Sequence, residues 1–70
     1  MTTRCKFRCD HVTDFGEQKD VKFSAVTTGS EENKSFWKYT PGGSLTFSCI
    51  NKNVKFQPGK EYYLDITEAQ

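Results

Sequence analysis

Four short segments of this chain alternate apolar and polar residues with a period of two. Cys5, Phe7 and Cys9 alternate with Arg4, Lys6, Arg8 and Asp10, and Val21, Phe23 and Ala25 with Lys22 and Ser24. Leu45, Phe47 and Cys49 alternate with Ser44, Thr46 and Ser48, and Tyr62, Leu64 and Ile66 with Glu61, Tyr63, Asp65 and Thr67. Successive side chains of a strand point to opposite faces, so each segment offers three apolar residues to one side of a sheet. No window repeats the three-to-four residue apolar spacing of a capped helix; Glu31 to Trp37 is the one place for a single turn.

Turn chemistry separates the segments. Asp14-Phe15-Gly16-Glu17 predicts a hairpin between the first two. Pro41-Gly42-Gly43 leads into the third, and Pro58-Gly59-Lys60 into the fourth, each with the proline-glycine order of a type II turn. Asn51-Lys52-Asn53 ends the third and leaves Val54 and Phe56 in a connector. With 70 residues, the chain is one domain, residues 1–70, that buries only about 60% of its unfolded surface. A flat sheet would leave one apolar face wet. The expected fold is therefore all-β: a small twisted four- to five-stranded antiparallel barrel or half-barrel of OB-like or SH3-like size, with the apolar rows inside. Phe36 or Tyr39 would fit a further short strand before Pro41.

Hydrophobic residues make up 34% and charged residues 27% of the chain, which excludes a disordered composition. Absence of a long apolar run or a leader pattern predicts a soluble protein of the cytoplasm. Three cysteines are an odd number, which argues for thiols rather than a disulfide framework. On an extended strand Cys5 and Cys9 lie about 13 Å apart, too far to share a zinc ion or a disulfide. Cys9 and His11 would share a face about 7 Å apart, beyond direct proton transfer. The carboxylates sit in or near turns, and no glycine loop precedes a helix, so neither a catalytic role nor a cofactor is expected.

One polar stretch, GSEENKSFWKYTPGG, carries Phe36, Trp37 and Tyr39, including the single tryptophan of the chain. Between Asn33 and Lys60 there is no Asp or Glu, whereas Lys34, Lys38, Lys52, Lys55 and Lys60 all fall there. Lys34, Phe36, Trp37, Lys38, Tyr39, Lys52 and Lys55 therefore form the candidate partner-binding set, with Arg4, Lys6 and Arg8 as possible additions. Rings interleaved with lysines suit a protein interface or single-stranded nucleic acid. A net charge of +1 weakens the nucleic-acid reading. A small barrel also needs large side chains to close its ends, so at least one ring is expected in the core; alternation predicts Trp37 and Tyr39 on one side and Phe36 on the other.

The phrases GSEENKSFWKYTPGGSL and FQPGKEYYLDIT resemble a pattern in small accessory proteins encoded by tailed bacteriophages, over residues 20–67. The segment CKFRC lies outside the likeness. The resemblance implies a viral origin, the host cytoplasm as the place of action, and no assigned functional residues. Together these readings lead to a non-catalytic module that binds a host or phage protein. A single-stranded nucleic-acid binder and a virion or assembly component, pairing through exposed strand edges, are the alternatives.

Overall fold

The computed structural model describes residues 2–69. Four strands, β1 (Thr2–Asp14), β2 (Gln18–Ala25), β3 (Ser44–Asn51) and β4 (Glu61–Thr67), and one helix, α1 (Glu31–Phe36), follow each other as β1-β2-α1-β3-β4. The strands form one antiparallel sheet in the order β3-β2-β1-β4, strongly curled into a half-barrel. The expected all-β architecture holds, with four strands among the described residues. No helix of these residues is long and apolar enough to cross a membrane.

The β1–β2 hairpin forms as its turn chemistry predicts. Gly16 takes φ +94°, a left-handed conformation that costs glycine little. The Asp14 carboxylate accepts the Gly16 N–H at 2.7 Å. Before β4, Lys60 N–H donates to Gln57 O at 3.1 Å, with Pro58 and then Gly59 at φ +88° between them. That is the type II arrangement. Residues 41–43, by contrast, run as irregular chain without a hydrogen-bonded turn.

The core lies on the inner face of the two central strands. Cys5, Phe7, Cys9, Val21 and Phe23 are buried, and Val12, Ala25, Leu45, Ile50, Phe56, Tyr62 and Leu64 pack against them. Phe56 reaches in from the connector and meets Phe23 edge-on at 5.2 Å and Tyr62 at 5.3 Å between ring centroids. Burying a phenylalanine such as Phe23 contributes about 1.5–3 kcal/mol.

Two bulges correct the strict alternation. In β1, Cys9 pairs with Phe23 but His11 pairs with Lys22, so Asp10 is an extra residue. Its carboxylate accepts the Ser24 hydroxyl and sits 3.9 Å from Arg8. The shift brings Val12 to the core and leaves His11 exposed, not on the face of Cys9 as alternation implied. In β3, Phe47 pairs with Val21 but Ile50 with Lys19, so Ser48 and Cys49 oppose Asp20 alone. Cys49 has φ +60° and donates its N–H to Asp20 Oδ1 at 3.0 Å. Cys49 is consequently exposed, and Ile50 takes the inward position that the sequence pattern gave to Cys49. Ile66 is likewise 47% exposed rather than buried.

Candidate functional site

The aromatic stretch does not add a strand. Phe36 ends α1 and Trp37 caps it, while Tyr39 lies in the irregular chain before β3. Ser30 starts the helix: its Oγ accepts the Asn33 N–H at 3.2 Å and donates to Glu32 Oε1 at 2.9 Å. Glu31 and Glu32 occupy the first turn, where the helix dipole favours acids. Hydrogen bonds from its own backbone N–H and from Ser30 hold the Glu32 carboxyl below its ordinary range.

Asn33 fixes this helix to the sheet. The residue is 1% exposed. Its Oδ1 accepts the Lys6 N–H at 2.6 Å, and its Nδ2 donates to Lys6 O and to Val26 O at 2.8 Å each. Lys6 lies on β1 just where β2 departs, so the amide substitutes for a strand residue at the vacated position. A buried amide must be paired in this way to avoid the cost of desolvation. Sequence reasoning missed Asn33; the Ser30-x-x-Asn33 spacing marks a cap, but nothing in it signals burial.

Anchored there, the three rings diverge. Trp37 packs inward, its ring 6.2 Å from that of Phe7, and the space beside Gly43 ends on the same two rings. Phe36 stands edge-on to Trp37 at 4.7 Å and is 46% exposed, while Tyr39 is 81% exposed with Lys38 Nζ 5.5 Å above its ring. One ring thus joins the core, as expected. The division between sides differs from simple alternation, because residue 36 belongs to a helix: Trp37 alone turns inward, and Phe36 and Tyr39 both face water. Phe36 borders a hollow with Arg4 and Glu32; Tyr39 borders another with Lys34, Ser30 and Pro41.

The basic residues do not gather. Lys34 pairs with Glu31 at 3.5 Å on the helix surface. Lys52 follows β3 and pairs with Glu17 at 3.8 Å beside the β1–β2 turn, and Lys55 lies in the connector beyond. Eight residues of β3 separate Lys52 from the aromatic stretch, about 26 Å of extended chain. Arg4, Lys6 and Arg8 share the outer face with acids. Arg4 grips Asp65 through two N–H groups at 2.6 and 3.1 Å, and Lys6 lies 3.8 Å from Glu61. Arg4 and Lys6 also flank the Tyr63 ring at 4.8 and 5.4 Å. The Arg4 hydrogen bonds pull the Asp65 carboxyl below its ordinary range and raise Arg4 in turn.

The thiols of Cys5 and Cys9 are buried on the inner face and Cys49 is exposed; all three are unpaired. Burial, with smaller contributions from Asp65 and Asp10 respectively, pushes the Cys5 and Cys9 thiols up, away from the reactive thiolate. An apolar groove of about 170 Å³ opens on the inner face between Leu45 and Phe47 of β3, Phe56, and Tyr62 and Leu64 of β4, with Phe23 at its floor. No protein-family model, no curated protein and no solved structure matches this chain.

Proposed function

We propose that this protein is a non-catalytic interaction module that binds another protein through the end of α1, with Phe36, Trp37, Lys38 and Tyr39 as the contact and Lys34 at its border. The observation that carries the reading is the ledge itself. Trp37 packs on Phe7, Phe36 stands edge-on to it at the surface, and Tyr39 follows two residues on, exposed to water; Asn33 fixes the helix from which this segment extends. Aromatic side chains already held in place lose little entropy on binding, and Trp and Tyr are enriched among interface hot spots. The resemblance to tailed-phage accessory proteins favours a host or phage protein as the partner.

The scattered cations weigh against a nucleic-acid track, which needs a continuous charged groove beside its stacking rings. Lys52 and Lys55 sit remote from the ledge, and Arg4, Lys6 and Arg8 lie among Asp65, Glu61 and Asp10.

The test is affinity capture from host and infected-cell lysates with wild-type protein and with the double variant Phe36→Ala, Tyr39→Ala. Tyr39 is largely exposed and Phe36 nearly half so, outside the core cluster, so the variant should still fold. A protein retained by wild type and lost by the variant supports the reading; equal recovery by both overturns it. Titration of Trp37 fluorescence with oligonucleotides is the counter-test, since tight binding that weakens steeply with salt would favour the nucleic-acid reading instead.

A further inference from the structure

β3 is an edge of the sheet, and its sequence differs from those of the other strands. SLTFSCIN contains no charge and no proline, whereas β1, β2 and β4 each carry several charged residues. Edge strands are ordinarily protected by charge, proline or a bulge that breaks pairing. Here the bulge at Ser48 and Cys49 comes late and leaves Ser44–Leu45–Thr46–Phe47 regularly paired with β2. Leu45 and Phe47 face the inner groove, and Phe47 is 40% exposed. Ser44, Thr46 and Ser48 are exposed and alternate with them.

With Ser48, the first residue of the bulge, the sequence Ser44-Leu45-Thr46-Phe47-Ser48 is a palindrome of chemistry about Thr46. We infer that β3 is a homotypic docking edge, on which a second copy of this chain adds its own β3 antiparallel with Thr46 on the two-fold axis. In that register Thr46 faces Thr46, Ser44 faces Ser48, and Leu45 faces Phe47. Hydroxyls meet hydroxyls on the outer face and apolar side chains meet on the inner one, both favourable cross-strand pairings. A two-fold axis places a central residue against its own copy, so a charged strand would oppose like with like; β3 avoids that. The lysines that flank the axis, Lys22 beside each Thr46, would stand three strand spacings apart, about 14 Å, beyond the roughly 8 Å screening length at physiological salt. Leu45 to Phe47 form the regular centre of this contact, with Ser44 and the bulge residue Ser48 at its margins; it is small, so the dimer is weak and concentration-dependent.

Register-specific crosslinking tests the inference. Thr46→Cys in a Cys49→Asn background should form a disulfide-linked dimer under mild oxidation, since antiparallel partners directly opposite have Cα atoms about 4.5–5.5 Å apart. Ser44→Cys or Ser48→Cys alone in that background should not. In sedimentation of the concentrated protein, wild type should populate a dimer, and Thr46→Lys should weaken it about tenfold or more. An equal mixture of Thr46→Lys and Thr46→Glu should restore it. A wild-type protein that stays monomeric at NMR concentrations while Thr46→Cys fails to crosslink would overturn the inference and leave the edge to a strand of a different protein. Crosslinking through Ser48→Cys instead, or a dimer indifferent to Thr46→Lys, would overturn it equally.

Discussion

β1 and β4 lie side by side and alternate with the same period, yet their apolar residues end in different places. Cys5, Phe7 and Cys9 on β1 are at most 6% exposed, while Ile66 on β4 remains 47% exposed. The same contrast divides β2 from β3: Val21 and Phe23 are buried, and Phe47 opposite Val21 is not. An alternating pattern selects the face toward which a side chain points. How deeply it is covered depends on having a neighbour on both sides, which the central strands have and the edges lack.

Truncating one ring from each kind of strand gives the largest test of this contrast. Phe23→Ala should lose about 3–5 kcal/mol, the range for a buried aromatic, and Phe47→Ala about 1 kcal/mol in monomeric protein. Chemical denaturation of dilute samples would measure both, and equal losses would break the distinction between centre and edge. Asn33→Ala comes next. It leaves the Lys6 N–H and the Val26 carbonyl without their amide partner, for a loss of about 2–3 kcal/mol. The Trp37 emission should shift to the red as the ledge loosens.

The strands and two of the turns were legible because they rest on local rules: alternation, Asp-x-Gly in the hairpin, Pro-Gly before β4. The bulges were not. Asp10 and Cys49 occupy their positions through tertiary partners, the Ser24 hydroxyl and the Asp20 carboxylate, and no periodic signal announces either. Of the candidate binding residues, those from Lys34 to Tyr39 stay together because they are consecutive, in the last turn of α1 and the chain just after it. Lys52 and Lys55 were grouped with them by composition, and β3 carries them to the far end of the sheet.

The β3 bulge supplies a smaller and sharper test. Ile50→Ala should lose about 1–2 kcal/mol, whereas Cys49→Asn, with a residue that tolerates positive φ, should change stability by no more than about 0.5 kcal/mol. In the same native protein an alkylating reagent should label Cys49 rapidly, and Cys5 and Cys9 only as the molecule unfolds. Reversed costs for residues 49 and 50 would restore the unbroken alternation.

The smallest effect concerns the outer face. The Asp65 carboxyl is held below its unfolded value by Arg4, so its contribution is complete above the ordinary carboxylate range and fades as pH falls through the folded value. Both side chains are about half exposed, which keeps that contribution small. Wild type should therefore exceed Asp65→Asn slightly in denaturation midpoint at pH 7, and the two should converge as the pH is lowered below about 4. A gap that persists in acid would show that the effect does not come from the Asp65 charge.

The Asn33 bridge has a kinetic consequence. Lys6 sits in a central strand, yet its amide proton is held by a side chain of α1 and not by a neighbouring strand. Solvent can reach that proton whenever the helix lifts away, without the sheet coming apart. Its deuterium uptake would then follow undocking of the ledge, while the amide of Arg8, paired with Ser24 between the two central strands, follows global opening. Within one strand the molecule carries separate clocks for its recognition segment and its scaffold.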